Sequence, residues 1–149
     1  MGFTFRLETV LKVRERERDA CRAALNQAFE ALQILHDQSE QIQNEIDELR
    51  NDVRQESSPG RVNVDRLMES GRYEFHLRSG VATIDGRVKQ VEEEIERRRV
   101  ALEEANRQVK VLEKLRQRQY DAWVADAAKR ETAAADEVAV QRYGMGSSQ

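Results

Sequence analysis

Residues 25–53, LNQAFEALQILHDQSEQIQNEIDELRNDV, decide the fold. Stepping from Leu25 alternately by three and four meets Ala28, Leu32, Leu35, Ser39, Ile42, Ile46, Leu49 and Val53, of which Ser39 alone is polar. The same register runs backwards through Cys21, Arg18, Arg14, Leu11 and Leu7. A straight helix would let so long a 3–4 repeat drift around its surface. Left-handed supercoiling about a partner keeps the seam on one side.

The partner is in the same chain. Leu77, Val81, Ile84, Val88, Val91, Ile95, Arg98, Leu102, Ala105, Val109 and Leu112 form a second seam, with Arg98 its one polar member. Between the tracts, Pro59 holds Ser58 extended and Gly60 permits a turn. The expected architecture is all-α: a long antiparallel two-helix coiled-coil hairpin with a short structured tip. Its bounds are helix one about 5–56, tip about 57–71, helix two about 72–141 and a frayed tail about 142–149, in a single coiled-coil domain over 1–149. Asn63 or Asp65 would cap a short helix within the tip. Pairing Val53 with Leu77, and Leu7 with Trp123, makes paired residue numbers total near 130. At 1.5 Å per residue the rod would be about 75 Å long. Parallel dimerisation through either helix is the structural alternative.

Composition agrees with an elongated helical chain. The 149 residues are 39% hydrophobic and 36% charged, with one proline; globular domains average roughly 45–50% apolar and about 25% charged. The net charge of −3 gives no general case for nucleic-acid binding. No 18-residue apolar run exists that would insert in a membrane. Cys21 cannot form an intrachain disulfide and falls on the seam as a small buried hydrophobe. His36 and His76 are too isolated for a metal site, and no phosphate-binding glycine loop is present, so neither cofactor nor metal is expected. The glutamates at 92–94 and 96 wrap around their helix and build no convergent acid–base pair. An enzyme is the disfavoured class.

Charge is unevenly spread. Between Ala23 and Leu49 there are six acidic residues and no Lys or Arg, and helix two offers Arg97, Arg98 and Arg99 opposite. Cross-helix pairing would then help choose the register. The seam residues Arg14, Arg18 and Arg98 would bury their stems and extend their heads to water. At the open end, Arg107, Lys110, Lys114, Arg116 and Arg118 join the basic residues of the first 22 positions. This concentrates positive charge where an acidic protein surface could dock. Tyr120 and Trp123 would pack across the seam there. At the tip, Tyr73, Phe75 and Leu77 would close the hairpin against Val62, Val64 and Leu67; an exposed Phe75 would instead be an anchor for a partner.

The opening FTFRLETVLKVRERERD and the late LEKLRQRQYDAW and AKRETAAADEVAVQRY resemble the two ends of the flagellar export protein FliJ family. Phe5, Arg6, Leu7, Glu8, Val10 and Leu11 match its start; Leu112 to Leu115, Arg130–Glu131 and Asp136–Glu137 match its ending. The resemblance implies an antiparallel coiled coil similar to the central stalk of rotary ATPases. It further implies association with the hexameric flagellar export ATPase, with the cytoplasmic domain of the export-gate membrane protein, and with export chaperones that it escorts. On that resemblance, Arg14, Arg16, Arg18, Arg116 and Arg118 would dock on the ATPase. Ile42, Ile46, Leu49, Tyr73 and Leu77 would contact the gate, although Ile42 and Ile46 stand where the family often carries aromatics. The expected place is cytoplasmic, peripheral at the flagellar base. A generic coiled-coil adaptor, or the equivalent stalk of a virulence-type injectisome, is the rival reading.

Overall fold

The computed structural model describes residues 2–57, 60 and 63–146. These contain two helices, α1 (Glu8–Glu56) and α2 (Val64–Gly146), and no strand among the described residues. The expected helical hairpin is therefore the observed fold. Contacts divide it into two compact units, Ala20–Glu103 and Met1–Asp19 with Glu104–Gln149.

In the first unit, the positions withdrawn from solvent are those of the heptad reading. Ala28, Ile46, Leu77 and Ile84 are buried; Leu25, Leu32, Leu35, Ile42, Leu49, Val53, Val81, Val88, Val91 and Ile95 are half-buried. Ile46, only 2% exposed, is the best-covered side chain of this unit. Polar seam residues Ser39 and Arg98 are half-buried too. Cys21 is half-buried, in keeping with its seam position, whereas His36 and His76 are exposed.

The register differs from the expected one. Arg50 meets Glu74, Arg98 meets Ala24, Arg66 meets Glu56, and the Ile42 side chain lies 3.6 Å from where Gly80 would carry a Cβ. These pairs total 122 to 124, not about 130. The cause is the start of α2, which lies at Val64 rather than near 72. Asn63 Oδ1 accepts from the backbone N–H groups of Asp65 and Arg66, at 3.2 and 3.4 Å. It thus satisfies two otherwise orphaned donors of the first turn. The helix then continues through Gly71, so residues 64–71 are its first turns and not part of a separate tip. Gly60, at φ +107°, makes the left-handed step of the connection. Ser58, Pro59 and Val62 lie outside the described residues.

The charge expectation also needs correction. Arg97 pairs with Glu94, Arg98 with Glu94, and Arg99 with Glu96 and Glu103, all within α2. Among the described residues, the acidic run of α1 forms no salt bridge with them. Residues three and four apart on one helix are already neighbours, so an arginine reaches its own helix's glutamate without crossing the seam.

In the second unit, Phe5, Leu11 and Val109 form a small core with Phe3, Leu7, Leu112 and Leu115 packed on it. Leu115, half-buried, continues the seam beyond Leu112, whereas Arg116 is exposed. Phe5 to Leu7 form a turn leading into α1, where the N–H of Glu8 donates to the Phe5 carbonyl at 3.2 Å. Trp123 meets Phe3, ahead of α1, with ring centres 6.1 Å apart. Beyond Ala127, which is half-buried, residues 128–143 are helical with every residue exposed. The tail assigned to 142–149 is helical as far as Gly146; residues 147–149 lie outside the described residues.

Candidate functional site

Two surfaces carry the sequence-derived candidates, one in each unit. The first begins with Phe3, placed by the extended start of the chain over α2. Its ring meets Tyr120 edge-on, with centroids 5.3 Å apart and planes at 81°. Trp123 lies 6.1 Å from Phe3, and Tyr120 and Trp123 stack at 6.1 Å. Tyr120 and Trp123 thus pack on Phe3, which precedes α1, and both rings remain more than a third exposed. Sequence reading missed Phe3 as their partner. The alternating Phe3–Thr4–Phe5 just before the helix was the available signal, since apolar residues ahead of an N-terminus often fold back on the first turns.

Arg116 ties this cluster to α1. Its Nε donates to Glu8 Oε2 at 3.1 Å, and its guanidinium carbon is 6.0 Å from the Phe3 ring centre. Glu8 is also the acidic residue of the first turn of α1, where the helix dipole favours negative charge. Arg14 pairs with Glu17, and Arg18 with Asp19. Arg16 and Arg118 are exposed and form no salt bridge among the described residues. The five arginines are thus chemically unequal: two present unpaired charge, and three already hold a carboxylate.

The second surface is on α2 near the turn. Of its five expected contact residues, Ile46 and Leu77 are core and Ile42 and Leu49 are half-buried. Only Tyr73, half exposed, is open to another molecule. Phe75 does not close the hairpin: it is 73% exposed. Val64 and Met68 are exposed as well, and their spacing of four, seven and eleven residues puts them on one helical face with Phe75. Sequence reading had placed Val64 in the closed tip and missed this stripe. Its signal was the 64–68–75 spacing, hidden by placing residues up to 71 in a tip separate from helix two.

A neighbouring groove is lined by Leu49, Val53, Leu67, Ser70, Gly71 and Glu74. It exists because Ser70 and Gly71 are small; a Cβ at Gly71 would meet nothing within 4 Å. Arg50 Nε donates to Glu74 Oε1 at 2.5 Å along its side, and Arg78 reaches the same carboxylate at 3.5 Å. Carboxylates elsewhere serve arginines too. Glu94 accepts from Arg97 at 2.6 Å and Arg98 at 2.9 Å. Hydrogen bonding from Arg97, then Arg98, holds its carboxyl below the ordinary value of 4.5. Glu96 is lowered by Arg99, whose own affinity for its proton is raised. Such lowered values mark ion pairs and favour no acid–base chemistry. No group of three potential metal ligands occurs among the described residues.

The flagellar FliJ protein family matches residues 3–147, nearly the whole chain. The chain belongs to that family. No curated protein and no solved structure matches it. Membership makes this FliJ-family chain a component connected with flagellar export, in a family of non-catalytic proteins. It favours the flagellar over the injectisome reading. No helix is long and apolar enough to cross a membrane, among the described residues.

Proposed function

We propose that this FliJ-family chain is a non-enzymatic stalk and escort of the flagellar protein export apparatus. It couples the hexameric export ATPase to the cytoplasmic domain of the export-gate membrane protein and recycles export chaperones. Its place is the cytoplasmic face of the flagellar base, without nucleic-acid binding or insertion into the bilayer. The observation that carries this reading is the family match over residues 3–147.

Two geometric features support the division of labour. The aromatic cluster of Phe3, Tyr120 and Trp123 sits beside exposed arginines, a combination common at protein interfaces. Arg14, Arg16, Arg18, Arg116 and Arg118 serve the ATPase contact, with Arg16 and Arg118 the most available. The gate contact uses Tyr73 and Phe75, while Ile42, Ile46, Leu49 and Leu77 hold the helices that present them. The mechanism is mechanical: the ATPase hydrolyses nucleotide, and the helices transmit its asymmetry.

The test is binding of the full chain to purified export ATPase and, separately, to the gate's cytoplasmic domain. Arg16→Glu with Arg118→Glu should weaken only the first, and Phe75→Ser only the second. Unchanged ATPase binding by the charge-reversed chain would overturn that placement. Absence of binding by the parent chain to both proteins would overturn the function.

A further inference from the structure

Arg98 is the one charged residue in the second seam, and its side chain is 33% exposed. Its head does not simply extend to water but is held by the protein. Nη1 donates to the backbone carbonyl of Ala24 at 2.6 Å, and Nε donates to Glu94 Oε1 at 2.9 Å. A helix carbonyl already accepts from the N–H four residues on, but it has a second lone pair. Reaching that lone pair requires bare backbone. Carbonyls point toward the helix C-terminus and Cβ atoms tilt toward the N-terminus, so the side chain at i+4 overhangs the carbonyl of residue i. Residue 28 is an alanine. Among the alanines of α1, Ala24 and Ala28 alone are four apart with both withdrawn from solvent.

We propose that Arg98 is a register pin: its bond to the Ala24 carbonyl selects this pairing of α1 with α2, and selects it over self-association, at a cost in stability. Sliding α2 by one heptad would set Arg98 against Ala31, where Leu35 overhangs the carbonyl. Sliding it the other way would bring it to the stretch where Arg18 already occupies the seam. A parallel, in-register pair of α2 helices would put Arg98 against its own copy, two like charges with no carbonyl to share. Each alternative leaves a guanidinium poorly partnered in a seam, which disfavours it more than it disfavours the observed hairpin. A single polar seam residue that fixes register and oligomeric state is an established device of coiled coils. Here the recognition partner is backbone, exposed by two alanines.

The test uses the full chain with Cys21→Ser and engineered cysteine pairs. Arg50→Cys with Glu74→Cys reports the observed register; Arg50→Cys with Val81→Cys reports a one-heptad slip. With Arg98 present, only the first pair should form a disulfide, and light scattering should give the monomer mass. Arg98→Met, nearly equal in length and apolar, should melt at higher temperature yet trap both pairs and dimerise as concentration rises. Arg98→Lys, which keeps a charged donor, should retain the single register. The proposal is overturned if Arg98→Met stays monomeric and traps only the first pair, or if it loses helicity, because the arginine would then be holding the fold together.

Discussion

Arg116 and Glu8 are 108 positions apart in sequence, and their side chains meet at 3.1 Å. The pair joins the first turn of α1 to α2 beside the Phe3 ring, which the same guanidinium approaches. The proposed docking surface and the local packing therefore share one side chain.

Arg116→Glu should consequently loosen the aromatic cluster as well as alter surface charge. An exposed ion pair contributes about 0.2–1 kcal/mol and an exposed cation–π contact about 0.5–1 kcal/mol. The melting temperature should fall slightly, and emission from Trp123, the sole tryptophan, should shift to the red. Arg118→Glu, without an ion pair to lose, should leave both signals unchanged.

Ile46→Ala should cost about 2–5 kcal/mol in denaturant unfolding, the usual range for truncating a buried isoleucine, because Ile46 is almost wholly covered. Leu77→Ala should behave similarly. Phe75→Ser should stay within about 0.5 kcal/mol of the parent. A gate-binding defect is interpretable only in the last of these. Equal destabilisation by all three would mean that Phe75 is packed.

Gly71→Ala should stabilise the hairpin by about 0.8–1 kcal/mol, the helix-propensity difference, since the added methyl group enters open space. Gly60→Ala should destabilise it, because φ there is +107°. Urea midpoints of the two variants should move in opposite directions.

Acid should weaken the helix around the glutamate–arginine pairs. The folded values of Glu94 and Glu96 lie below 4.5. Their contribution is complete above the ordinary carboxylate value and is lost as pH falls through the lowered folded values. Glu94→Gln should flatten the dependence of melting temperature on pH in that window, and added salt should shrink the difference between the two chains.

The seam was legible because its signal repeats: an error at Ser39 or Arg98 is outvoted by the residues on either side. The register was not, because it depends on one local event, the start of α2. The tip was extended to residue 71, yet the single glycine there costs a helix only about 1 kcal/mol, and the Asn63 cap offsets part of that. The same error hid Met68 and Val64 from the candidate surface. Charge was misassigned for a related reason. Sequence shows that arginines and glutamates abound, but not that Arg97 and Arg99 find Glu94 and Glu96 on their own helix.

Residues 128–143 remain helical without burying a side chain. An isolated helix of that length is marginal in water, so its order is borrowed from the packed turns behind it. Amide exchange should therefore quicken steadily along this stretch toward its C-terminal end. A partner gripping it would announce itself as slowed exchange there, before any change in helical content could be seen.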